Sequence, residues 1–160
     1  MLNSEQLDAA KRLCYLLMWD NSNEAEKAYQ AFLENIKHDE DHVDALRTAL
    51  YPVIAHTDWN ELDMMFDDLQ AIAKAKNIPF TLNQDDEDLD FNSEDPFSDF
   101  FEPIDDMLSE HGYNLWSWET GCASFCTFIA KSDDYEGITE IAEILELTEE
   151  NFCQLMCVSV

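Results

Sequence analysis

One stretch constrains this chain more than any other: Gly112 to Lys131, GYNLWSWETGCASFCTFIAK, two apolar runs joined at Thr120-Gly121. A short Gly-containing turn between β-branched and aromatic runs signals a hairpin. With Thr120 and Gly121 as the loop, the register sets Glu119 against Cys122, Trp118 against Ala123, Trp116 against Phe125 and Asn114 against Thr127. The opposite face then pairs Ser117 with Ser124, Leu115 with Cys126 and Tyr113 with Phe128. Both faces are mostly apolar, so both need cover, and the hairpin is expected at the centre of the fold.

Helical periodicity dominates the preceding sequence. Ser4 caps a first helix with Leu7, Ala10, Leu13, Cys14, Leu17 and Met18 on one stripe, and a second helix after Asn23 carries Ala25, Ala28, Tyr29, Phe32, Leu33 and Ile36. A third runs through Val43, Leu46, Ala49, Leu50 and Val53 to Ile54, kinked or cut short by Pro52. Asp58 and Glu61 read as a capping box for a fourth, with its stripe at Leu62, Met65, Phe66, Leu69, Ile72 and Ala73. Lys74 and Lys76 suit its C-terminal dipole, and Asn77 and Pro79 stop it. A repeat period of 34 residues fails, since it places Tyr29 on Asp63 and Leu33 on Asp67.

Ile78 to Leu82 is a candidate strand. Asp95-Pro96 opens a helical region, and Pro103 fits the first turn of a helix with Ile104, Met107 and Leu108 inward, ending before Gly112. Ser132 caps a further helix to about Glu146, with Ile138, Ile141, Ala142 and Leu145 inward, and the tail NFCQLMCVSV reads as a last strand. The expected fold class is therefore α+β, a helical N-terminal half packed on a small, mostly antiparallel sheet with a central hairpin and flanking helices. The 160 residues suffice for one domain with a real core, comprising a helical half at 1–77 and an α+β half at 78–160 with an acidic loop at 84–95.

Charge narrows the function classes. Eight Lys plus Arg stand against 36 Asp plus Glu, a formal net charge of -28. Such a chain is repelled by nucleic acid and by anionic membrane, and attracts cations or a basic protein. No Lys or Arg lies between Lys76 and Lys131, and within that span Asp85, Asp86, Glu87, Asp88, Asp90, Glu94, Asp95 and Asp99 crowd together. The acids of the N-terminal helices are interspersed with Lys11, Arg12, Lys27, Lys37 and Arg47, so the segment from Asp85 to Asp99 is expected to be the most negative patch and the partner-binding surface.

The N-terminus lacks a signal-peptide core and no run approaches the ~20 apolar residues of a membrane span. Together with the five cysteines, Cys14, Cys122, Cys126, Cys153 and Cys157, this implies reduced thiols and a cytoplasmic location.

Metal and cofactor chemistry is not expected. Asp88, Asp90 and Asn92 have the spacing of a calcium loop, but Ser93 stands where that loop needs Gly, and Asp99 replaces the terminal Glu. Each C-x-x-x-C pair, if on a strand, separates its thiols by ~13 Å, too far to share one zinc ion. The histidines His38, His42, His56 and His111 are scattered, with His38 and His42 in a solvated linker, and only three glycines exist, which excludes a phosphate loop. An enzyme is not expected. It would need Ser124 exposed in a pocket with a His or carboxylate in hydrogen-bond reach.

From about Phe80 to Leu147 the chain resembles a bacterial family of domains of unknown function. The matching residues are Asp95-Pro96, Gly112-Tyr113-x-Leu115, Thr120-Gly121-x-x-Ser124-Phe125 and the helix through Ile138 and Leu145. The pattern departs at Ala123, where the family favours Asp. The resemblance implies a fold, and it carries over no catalytic residue.

The functional expectation is a cytosolic acidic binding protein, an immunity or inhibitor protein neutralising a basic toxin such as a nuclease. The alternative is a non-catalytic housekeeping or adaptor domain whose acidity serves solvation.

Overall fold

The computed structural model describes residues 1–19, 21–38 and 41–159. It is an α+β fold with a four-stranded antiparallel sheet in the order β1-β3-β2-β4. The helices are α1 (Ser4–Leu17), α2 (Ser22–Lys37), α3 (His42–Ala49), α4 (Leu62–Ala75), α5 (Glu102–Ser109) and α6 (Tyr135–Ile144). The strands are β1 (Ala55–Asp58), β2 (Tyr113–Trp118), β3 (Ser124–Lys131) and β4 (Leu155–Cys157). The hairpin β2-β3 is central, as expected, and both of its faces are covered.

Alternation along the strands sorts the two cores. Trp116, Trp118, Cys126, Phe128 and Ala130 meet α1, α2, α3 and α6 on one face. Leu115 and Ile129 meet α4, α5 and the segment from Ile78 to Phe101 on the other. On the first face Trp116 stacks on its cross-strand partner Phe128, rings 6.1 Å apart and 3° from parallel. On the second, a chain of edge-to-face contacts runs Phe80, Phe66, Phe91, Phe100, Phe101, Phe125 and ties the acidic half to the sheet. Each fully buried member, Phe66, Phe100 and Phe101, contributes ~1.5–3 kcal/mol by burial.

The hairpin register differs from the sequence expectation. Trp118 pairs with Cys126, Trp116 with Phe128 and Ser117 with Thr127, so residues 119–123 form a five-residue loop in place of a two-residue turn. A slip of three positions is odd, and it turns every β3 side chain to the other face. Ser124 is thereby freed from Ser117 and lies opposite Asp58 of β1.

Other boundaries also move. Residues 55–58 form β1 within the N-terminal half, because alternating burial at Ala55, His56, Thr57 and Asp58 suits a sheet edge better than a helix end. The third helix accordingly stops at Ala49, followed by a 3-10 turn at Tyr51–Val53 that Pro52 enters. Asp58 ends β1 instead of capping α4, whose N-cap is Glu61. Asn3, not Ser4, is the N-cap of α1, and with Gln6 it forms a capping box. Ile78 to Leu82 is not a strand; it packs as irregular chain, with Ile78 buried. A π-helical turn at Phe97–Phe101 leads into α5, with Pro103 in the first turn. A 3-10 turn at Ser132–Asp134 precedes α6, and the tail strand is present as β4. No described helix is long and apolar enough to cross a membrane.

Candidate functional site

Strand β1 lies at the sheet edge, and its His56 and Asp58 are exposed. There α3, the 3-10 turn and the 119–123 loop enclose a cleft of about 310 Å³. Arg47, Thr48 and Tyr51 line one side, and His56, Thr120, Cys122 and Cys126 the other.

The loop over this cleft is held at several points. Arg47 Nη1 donates to the Glu119 carbonyl at 3.0 Å, Glu119 N–H donates to the Gln154 carbonyl at 2.8 Å, and Trp59 N–H donates to the Ala123 carbonyl at 3.2 Å. Gly121 adopts φ +70°, a conformation that costs a residue with a Cβ and suits glycine. Thr120 folds its hydroxyl inward, and the Thr120 and Ser124 oxygens lie 2.9 Å apart.

The hydrogen bonds converge on Ser124. Its Oγ is 3.0 Å from His56 Nε2 and 3.2 Å from Cys122 Sγ, and the other ring nitrogen of His56 is 3.4 Å from the Tyr51 hydroxyl. Cys122 Sγ is also 3.2 Å from Thr120 Oγ1. Cys122 is exposed, whereas the other four cysteines are buried. The Ser124 hydroxyl, then that of Thr120, holds the Cys122 thiol below its ordinary range by hydrogen bonding to the thiolate, and Arg47 adds a smaller push in that direction. Burial instead pushes Cys126, in the same cleft, up to about 12. Arg47 is only 17% exposed, paired with Asp44 and set 5.8 Å over the Trp118 ring. Chemically, this is an exposed thiol beside a half-buried hydroxyl that an imidazole nitrogen contacts.

Of the condition set for Ser124, the histidine within hydrogen-bond reach is present, supplied by a residue the sequence did not single out, whereas Ser124 itself is half-buried and does not line the cleft. His56 is brought to Ser124 from 68 positions away, and the expected register had hidden Ser124 against Ser117. The signal that would have found His56 was the alternation in Ala55-His56-Thr57-Asp58.

The acidic residues form a separate surface. Asp85, Glu87, Asp88, Asp90, Glu94, Asp95 and Asp99 are exposed and Asp86 is half-buried. Side-chain turns shape the segment: Asn83 caps Asp85 N–H, Asp86 caps Asp88 N–H, and Asp90 caps Asn92 N–H. Asp90 N–H donates to the Asp99 carbonyl at 3.0 Å, Ser93 bonds the Asp99 carboxylate, and buried Leu89 anchors the segment in the core. None of these eight lines the cleft of His56 and Cys122.

The remaining histidines stay apart from that cluster. His38 caps α2, His42 lies 3.3 Å from the Leu145 carbonyl, and His111 is exposed after α5. Asp39 and Glu40, within the expected linker, lie outside the described residues. Among the described residues, no group of three or more His, Cys, Asp or Glu side chains is placed to hold a metal ion.

Residues 4–152 match the family described as Domain of unknown function (DUF6630), and the chain belongs to that family. The match extends beyond the C-terminal half to include α1 to β1. No curated protein matches the chain. No solved structure matches it either.

Proposed function

We propose that the protein is a cytosolic binding protein that neutralises a basic protein partner, in the manner of an immunity protein against a nuclease toxin. One observation carries this reading: eight carboxylates between Asp85 and Asp99, unrelieved by any Lys or Arg from residue 77 to 130, stand on a segment tied to the core. A shaped anionic surface of this kind speeds encounter with a cationic groove and loses less entropy on docking than a floppy acidic tail.

The test is co-purification from the source cell at low and at high salt, with an activity assay of the captured protein. The expected result is a basic protein that is inhibited when bound and is lost when Asp85, Asp86 and Asp88 become Asn and Glu87 becomes Gln. Equal capture by that neutralised variant would overturn the proposed surface. Capture of no basic protein would favour a housekeeping or adaptor role, with acidity serving solvation.

A further inference from the structure

The cluster at the edge of the sheet is unrelated to the acidic surface, and its chemistry is of another kind. Four parts of the fold converge on it: β1 with His56, the 3-10 turn with Tyr51, β3 with Ser124, and the loop with Thr120 and Cys122. Tyr51, His56, Thr120 and Cys122 line one cleft, and half-buried Ser124 lies within hydrogen-bond distance of the last three. A thiol used only for packing is normally buried, as the other four cysteines are. Cys122 is held outward with a hydroxyl on two sides.

We propose that Cys122 is a nucleophilic thiol served by a proton relay through Ser124 to His56, and that the cleft admits a small uncharged hydroperoxide, which oxidises the thiol to a sulfenic acid. The relay uses the tautomer in which Nδ1–H of His56 is directed at the Tyr51 oxygen, 3.4 Å away, which leaves Nε2 as the acceptor for Ser124. The Cys122 thiol proton passes to Ser124 Oγ as the Ser124 hydroxyl proton passes to Nε2. The thiolate then attacks the near oxygen of the hydroperoxide. An S–O bond forms and the O–O bond breaks. The leaving alkoxide, or hydroxide if the oxidant is hydrogen peroxide, takes its proton back from His56 through Ser124. Sulfur loses two electrons and the peroxide gains them, giving Cys–S–OH and an alcohol or water.

The relay explains why Ser124 serves the thiol instead of acting as the nucleophile. Its oxygen already bridges His56, Thr120 and Cys122, whereas Cys122 Sγ is the solvent-facing end of the chain. The preference for an uncharged oxidant follows from the net charge of -28, which repels anions. Its small size follows from the cleft volume. The charged and titratable groups that line the cleft with Cys122 are Asp44 and Arg47 from α3, Tyr51, His56 and Cys126, and the Arg47–Asp44 pair nearly cancels its own charge.

The test treats the full chain with hydrogen peroxide in the presence of dimedone and locates the adduct by peptide mass spectrometry. Wild type should be labelled at Cys122 while Cys14, Cys126, Cys153 and Cys157 stay unlabelled, a selectivity that also reports an intact fold. The rate at neutral pH should fall roughly tenfold in Ser124→Ala and in His56→Gln, and Ser124→Thr, which keeps a hydroxyl, should restore most of it. The wild-type rate should inflect at a lower pH than that of a free thiol, and the inflection should move up in Ser124→Ala. No adduct at Cys122, or wild-type rates and an unmoved pH profile in both Ser124→Ala and His56→Gln, would overturn the relay.

Discussion

The carboxylate of Asp105 accepts the backbone N–H of Leu115 at 2.6 Å, joining α5 to the start of the central hairpin. Asp105 is 1% exposed, and its burial raises its pKa above the ordinary carboxylate range despite hydrogen bonds from Leu115, Asn114 and Ser159. A raised folded-state pKa means the ionised form is the costly one, so this group's contribution is full below the unfolded pKa and is lost as pH rises through the folded one. Asp105→Asn keeps an acceptor and removes the charge. Its stability in urea should equal or exceed that of wild type at pH 7, with the difference shrinking toward pH 4. Asp105→Ala leaves the Leu115 N–H unpaired and should cost about 1–3 kcal/mol.

Lys76 gives the opposite dependence. Its ammonium donates to the Leu17 carbonyl at 2.6 Å and lies 4.1 Å from the Trp19 ring, and burial, followed by the charge of Lys131, pushes its pKa down to about 7 from 10.5. Here the unfolded chain holds the proton more tightly, so stability rises with pH between those two values. Wild type should gain on Lys76→Met from pH 7 to 9 by at most about 1.4 kcal/mol per pH unit, as read by denaturant titration. A constant difference between the two proteins would contradict the buried-ammonium account.

Trp116, stacked on Phe128 and 2% exposed, fills the face that α1 and α6 cover. Trp116→Ala should cost about 3–5 kcal/mol in thermal or urea unfolding. Trp59 is 60% exposed, and Trp59→Ala should stay within about 0.5 kcal/mol.

Neutralising the first four acidic residues tests whether the segment is held by its charges or by its anchors. With Leu89 and the backbone turns retained, the variant Asp85→Asn, Asp86→Asn, Glu87→Gln, Asp88→Asn should melt within a few degrees of wild type, at the same temperature or higher, because like charges are removed. Its association with a basic partner should be slower, and more so at low salt than at high.

Helix positions and the two-sided hairpin were legible in the sequence because apolar spacing and burial obey the same periods. The register was not. With aromatic or aliphatic residues on both faces, a slip moves one apolar set onto another apolar face, and the pattern carries no penalty that would pin it. The cleft was invisible for a related reason: Ser124 and His56 meet only once β1 pairs with β3 in the observed register. The exposure of most of the acidic residues, by contrast, was legible, since exposed charge needs no partner to announce itself, whereas the Leu89 anchor beneath them was not.

The pairing of β1 with β3 also sets a timetable for biogenesis. His56 leaves the ribosome 68 residues before Ser124, roughly 3 to 14 s earlier at ordinary translation speeds. Throughout that interval β1 has no neighbouring strand, and the inner sides of α1 and α3 have no sheet to rest on. Until β3 emerges the edge of β1 and the apolar inner sides of α1 and α3 stay uncovered, so a chain truncated before β3 is expected to be cut by protease faster than the full chain.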